Sequence, residues 1–398
     1  MPPKKKSPAT TPEMENKRRS RQRRARRKAV LRGVVLVGLC ALLFVLWQNW
    51  DTLAPDRLMD NLQDALGSGT GSFPVDVSGS GVQQLARSQN YLVVLSDSYL
   101  TYLNSSGAEI NRYTCTYPSA LLRTAGRYVL LAEQGGTRLQ LNTRTATLTE
   151  ITAEQEILSV AVNEKGQIAV LTQGARNYAV CVYVYDRQGK QIYYRGHTQL
   201  ATEVALSADG KQVALLSLQT ENGNLNTVVN VFSTETTQTA ALCNYTATDT
   251  LLYRLEYLSG GWLAAIGETG AVMLDTADGL STVFAPKDMR LLGYAASGED
   301  LALVLRPYGS TGDGQVQVVS KSGDLLSTVD YTGEFRHLST DGRQYLLLTD
   351  SYVQKITAVG GGGTAQVPAD GQQAVLDGDR AVVLGLNVLQ TYPLAQKQ

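Results

Sequence analysis

The side chains best suited to catalysis are scarce in this 398-residue chain, which has two histidines and four cysteines. His197 lies in YYRGHTQL and His337 in FRHLST. A Ser/His/Asp relay needs a nucleophile held against an oriented base, and no G-x-S-x-G turn presents one. Cys40, Cys115, Cys181 and Cys243 are at least 62 residues apart, whereas structural zinc needs clustered ligands. They read as small buried apolar residues, with one bridge among Cys115, Cys181 and Cys243 left open. The GGGG run at 360–363 has no phosphate-loop context and reads as a loop. Asp377-Gly378-Asp379 lacks the further oxygen ligands of a calcium loop. Adjacent cysteines of the quinoprotein type and S-x-D-x-G-x-x-W boxes of the sialidase type are absent, and Ser339-Thr340-Asp341-Gly342 reads as a hairpin turn. These residues supply no catalytic constellation, no cofactor motif and no metal site.

Recognition chemistry is better represented. Tyr183, Tyr185, Tyr193 and Tyr194 fall close together, followed by Arg195 and His197. Tyrosine and arginine are enriched where interfaces carry their binding energy, so these six form a candidate interaction surface. Tyrosine is also a good strand former.

The elements that must position them begin with a charge asymmetry. Lys+Arg and Asp+Glu both total 36, yet thirteen of the basic residues fall within 1–32, opposed only by Glu13 and Glu15. That leaves 36 − 13 = 23 basic and 36 − 2 = 34 acidic residues in the remainder. Residues 1–28 read as a disordered basic tail. GVVLVGLCALLFVLW follows from Gly33, and with Ala29–Leu31 and a snorkelling Arg32 it approaches the ~20 residues that span a bilayer. Residues 29–50 are therefore expected to form a single uncleaved transmembrane signal-anchor, since no A-x-A-like site follows. The positive-inside rule puts the tail in the cytoplasm, against anionic lipid, and exports the rest. The basic run contains no aromatic for base stacking, which argues against nucleic acid. Residues 51–71 read as a juxtamembrane amphipathic helix and a Gly/Ser linker.

From 72 to 398 the chain is repetitive. YLVVLS (from Tyr91), RYVLLA (Arg127), QIAVLT (Gln167), QVALLS (Gln212), WLAAIG (Trp262), DLALVL (Asp300), QYLLLT (Gln344) and AVVLG (Ala381) recur at 36 to 50 residue intervals. Each is preceded by a short strand and hairpin signal, as in VALSADG, and followed by an alternating strand and turn. Four short antiparallel strands per 40–45 residues is the period of a propeller blade. The expected fold is an all-β propeller of eight four-stranded blades, with seven as the alternative. The last unit is one strand short and SFPVDVSG is one strand in excess, so the first strand should complete the last blade and remove a free edge.

FPVDVSGSGV, the tail–anchor–linker order and LSADGKQVALLS resemble bacterial domain-of-unknown-function family 5711. The resemblance spans roughly residues 31–393 and implies a membrane-anchored propeller-like protein in the cell membrane with no assigned activity. LSADGKQVALLS is also similar to the S-P-D-G turn of other propellers, with Ala208 in place of proline. The resemblance brings no catalytic residue. Two functions are compatible with these features. One is an extracytoplasmic scaffold that binds an envelope protein or cell-wall glycan; the other is an enzyme or small-ligand sensor with its site at the funnel. No converging acids and bases are visible in the strands that would line the funnel, which favours the scaffold and a non-enzymatic role.

Overall fold

The computed structural model describes residues 69–395, apart from 78–80, 176, 222, 237–239 and 249. The expected cytoplasmic tail, transmembrane anchor and juxtamembrane helix lie outside the described residues. Among the described residues no helix is long and apolar enough to cross a membrane, and the single helical turn is Ser259–Gly261.

Eight four-stranded antiparallel sheets form the ring, as the repeat predicts. Blades one to seven occupy residues 82–114, 120–152, 157–197, 201–247, 252–284, 289–331 and 335–366. Blade eight takes three strands from 373–393 and its outermost strand, Val75–Asp76, from the start of the domain. The register there pairs Val75 with Leu389 and Asp76 with Val388. The alternative of seven blades is thereby removed.

The recurrent apolar segments are the second strand of each blade, and Tyr91–Ser96 is buried along its whole length. A sheet between two neighbouring sheets has no solvated face, so its central strands need not alternate. Apolar side chains gather in eight separate clusters, each between consecutive blades. Tight turns keep the strands short. In Ser207–Gly210, Asp209 Oδ1 accepts from the Ser207 hydroxyl and the Lys211 amide, and Gly210 takes the positive φ of 72°.

One expectation is corrected here. The GGGG run at 360–363 is not a loop but the start of the outermost strand of blade seven, Gly360–Gln366. A Cβ at Gly363 would stand 2.7 Å from the Ala395 carbonyl oxygen, and Thr364 bridges Ala395. Glycine here admits the end of the chain. Cys115, Cys181 and Cys243 are all free thiols, and the bridge left open among them does not form.

Alternation of direction sorts the connections. Links between second and third strands, and from each fourth strand to the next blade, emerge on one side, the loop face. The remaining turns lie on the opposite, hairpin face. The domain begins on the hairpin face, where the Asn104 amide donates to the Gly69 carbonyl and the Gly71 amide donates to the Ser106 hydroxyl.

The seam between blades eight and one is fastened by polar groups as well as by apolar packing. Gln373 accepts from the Leu85 amide at 2.8 Å and donates to the Gln83 carbonyl at 3.0 Å. Asp377 pairs with Arg87 at 3.3 Å and Arg380 at 2.9 Å, and Arg380 also donates to the Ser105 carbonyl. Replacing Asp377 with alanine is expected to cost about 1–3 kcal/mol, the usual result of stranding partly buried hydrogen-bonded charges. Urea unfolding is the check, with the 94 % exposed Asp379 as control. Equal losses in Asp377→Ala and Asp379→Ala would show that the seam does not depend on this carboxylate.

Candidate functional site

The candidate tyrosine cluster sits on the two outer strands of blade three, Val180–Tyr185 and Gln191–His197. The pleat divides it. Tyr183 pairs directly with Tyr194, their rings 5.2 Å apart, and Tyr185 stacks on Tyr183 at 6.2 Å. These three face blade two, and burial together with nearby Cys181 and Tyr194 pushes the Tyr183 phenol up to about 12. Tyr193, Arg195 and His197 face blade four instead. Tyr193 packs on the cluster between the two blades, while the Arg195 guanidinium lies 3.5 Å from the centre of the Phe232 ring. His197 Nε2 and the Ser217 hydroxyl are 3.1 Å apart. Burial, then the Arg195 charge, lower the His197 pKa. The six residues form two triads on opposite faces of one sheet rather than one surface. Tyr194 is the most exposed of them, at 47 %.

His337 has a structural position. It lies on the innermost strand of blade seven, and its Nδ1 is 3.1 Å from the Ala374 carbonyl of blade eight. Burial lowers its pKa.

The central channel holds what sequence reasoning missed. In six of the eight innermost strands the register skips one residue, immediately before Gln84, Ser159, Glu203, Arg254, Gly293 and His337. Bulges of this kind re-aim the side chain that follows. Gln373 occupies the matching place in blade eight, opposite Leu384. Several of these side chains reach the next strand round the ring. The Ser159 hydroxyl donates to Glu203 Oε2 at 2.9 Å, and Glu203 Oε1 pairs with Arg254 Nη1 at 2.7 Å. Arg254 Nε also donates to Glu256 Oε1 at 3.2 Å, and the Tyr294 hydroxyl approaches the same oxygen at 3.5 Å. Gly293 leaves a gap that the Phe335 ring fills, since a Cβ there would lie 2.6 Å from it.

Blade two departs from the pattern, placing Leu122 at the equivalent position and Arg123 beside it. Arg123 donates from Nη1 to the Leu122 carbonyl at 3.1 Å, while its Nε is sealed from solvent without a partner. Burial lowers the Arg123 pKa, and the Arg254 charge adds to this. The expectation that no acids and bases converge on the funnel is therefore corrected. Arg123, Glu203, Arg254 and Glu256 line one cavity of about 360 Å³. A second cavity of about 660 Å³, bounded by blades five to eight, one and two, shares Thr124 and Glu256 with it. The only advance signal was one charge inside each of LLRTA and ATEVAL and two inside LYRLEY. Among the described residues no group of three His, Cys, Asp or Glu could hold a metal ion.

Eight four-stranded antiparallel sheets in a ring, with polar side chains lining its central channel, define a β-propeller. The sequence matches the family of unknown function DUF5711 over residues 74–363, and the chain belongs to that family. No curated protein matches the chain. Among solved structures it is similar to a eukaryotic initiation factor, with a TM-score of 0.54, 12 % identity and coverage of 84 % of this chain and 91 % of that one. It is also similar to BamB from Moraxella catarrhalis, with a TM-score of 0.50, 13 % identity and coverage of 82 % and 99 % respectively. At such identities the likeness is one of fold.

Burial raises the Glu203 pKa above its ordinary 4.5 despite the pull of Arg254 and Ser159. A carboxyl that holds its proton more tightly when folded contributes stability fully below its unfolded pKa, and loses that contribution as pH rises through the folded value. Arg254→Leu removes the counter-charge and raises that value further. The variant should lose about 3–5 kcal/mol at pH 8, the typical cost of stranding a buried charge, and distinctly less at pH 5. Urea titrations at both pH values test this, and a pH-independent loss would refute the assignment.

Proposed function

We propose that this protein is a membrane-anchored, extracytoplasmic scaffold that binds a protein partner of the bacterial envelope through its loop face. The observation that carries this reading is a group of exposed aliphatic side chains around blade four. The middle hairpin of that blade, Gln212–Glu221 and Asn224–Ser233, outreaches its flanking strands. Leu225 near its tip is 56 % exposed. Leu200, 51 % exposed, precedes blade four, and its carbonyl accepts from the Leu218 amide of the hairpin. Leu251 leads into blade five, and the next amide, that of Leu252, donates to the Thr227 hydroxyl on the same hairpin. Tyr178 covers Gly196 on the blade-three side, next to His197. Apolar groups left together at a surface mark association sites. Aliphatic rather than aromatic character favours a protein over a glycan, because sugar recognition relies on ring faces.

Location rests on the apolar segment from Gly33 and its thirteen upstream Lys/Arg, which by the positive-inside rule leave the propeller outside. The charged channel favours a second reading, that of a small-ligand sensor or enzyme.

In-cell crosslinking of the full chain, followed by partner identification, tests the scaffold. Leu225→Asp and Leu200→Asp should each abolish the principal crosslinked species with little change in stability, since both positions are solvated. A C-terminal reporter active only in the cytoplasm would overturn the location. Crosslinks unchanged by both substitutions would overturn the loop-face site.

A further inference from the structure

The charges of the channel are unequally satisfied. Arg254 pairs with both Glu203 and Glu256, and Glu203 has the Ser159 hydroxyl as well. Two groups are left with unused valence. Arg123 donates one hydrogen bond, to the carbonyl preceding it in the chain, and has no ion pair among the described residues. A guanidinium has five N–H donors in a planar fork suited to a carboxylate. Glu256 accepts both of its contacts on Oε1, so its Oε2 has no partner among the described residues. Its side chain is 34 % exposed, and it borders both cavities.

The unfilled cation and the unfilled anion line the same cavity of about 360 Å³, within the ~300–1,000 Å³ common for small-molecule sites. Leu122, Val160 and Val204 provide apolar wall beside them. An anion alone would satisfy Arg123 but meet Glu256, and a cation alone would do the reverse. A ligand carrying both charges satisfies each group and adds no net charge to a site that is already neutral. An unpaired, desolvated cation beside a second arginine lowers stability, and such costs are characteristic of binding sites rather than of scaffolding.

We propose that the channel binds a small zwitterion of the amino-acid class, its carboxylate on the Arg123 guanidinium and its ammonium on Glu256 Oε2. This deepens the small-ligand reading of the channel and is independent of the loop-face scaffold.

The test is isothermal titration calorimetry on the full chain in detergent, at fixed ionic strength. The probes are the standard free amino acids, with acetate and methylammonium as single-charge controls. At least one amino acid should bind about tenfold or more tightly than either control, as expected when a second charge-assisted contact is added. Arg123→Gln and Glu256→Gln should each remove that advantage. Arg123→Gln should leave the unfolding midpoint unchanged or raised, so that lost binding is not lost fold. Absence of binding by every amino acid would overturn the proposal. So would acetate binding as tightly as the best amino acid, or full affinity in Glu256→Gln. Crosslinking at the loop face would be unaffected by any of these results.

Discussion

Every blade of this protein is apolar on both sides, and that constraint governs the rest of the architecture. A four-stranded sheet with two apolar faces cannot stand alone in water; it must be enclosed by a neighbour on each side. Repeated around a circle, the requirement ends only when the last sheet meets the first. There is accordingly no common core, only eight interfaces of similar make-up. The one break in chain continuity lies inside blade eight, between its third strand and the exchanged strand Val75–Asp76, which then leads into blade one. Across the interface of blades eight and one, an amide clasp from Gln373 and the carboxylate of Asp377 between two arginines add polar contacts to the apolar packing.

The innermost strands meet a second requirement. They border a channel too wide to fill with side chains from one blade, and their polar groups must find partners across it. A one-residue skip repeated at the same place turns one side chain per strand toward the next blade. The result is a relay of latches from Ser159 through Glu203 to Arg254, and from His337 and Gln373 onto neighbouring backbone. Two blades interrupt it. Gly293 gives its place to the Phe335 ring, and Leu122 leaves Arg123 to stand beside the relay rather than within it. The channel is thus both a set of fasteners and, where the pattern lapses, a chemically unsatisfied surface.

The fold was largely legible because the repeat is written in a property that every blade shares. An apolar second strand recurs whatever its loops do, and the surplus first strand matched the deficit in the last unit. The site was not legible for an equally physical reason. Arg123, Glu203, Arg254 and Glu256 come from three blades, and in sequence each is an ordinary charge in an alternating strand. Only curvature brings them to one cavity. The tyrosine cluster is divided for the opposite reason. Tyr193 and Tyr194 are adjacent in sequence, but successive strand residues point to opposite faces, so proximity along the chain became separation across a sheet. The glycine run at 360–363 misled because its absence of side chains signals a loop in isolation, whereas here it makes room for the backbone of Leu394 and Ala395.

The exchange of one strand in blade eight ties the beginning of the domain to its end. Val75–Asp76 is synthesised before any blade exists, and its partner, Val388–Pro393, after nearly all of them. Seven blades can assemble in order as the chain lengthens, but the ring has an open edge until residues 373–393 are in place. Without the three strands of residues 373–393 the ring would display two unsatisfied sheet faces, those of blades seven and one, and these three strands hide both at once. Pairing of the first strand with the last and concealment of the edges are the same event.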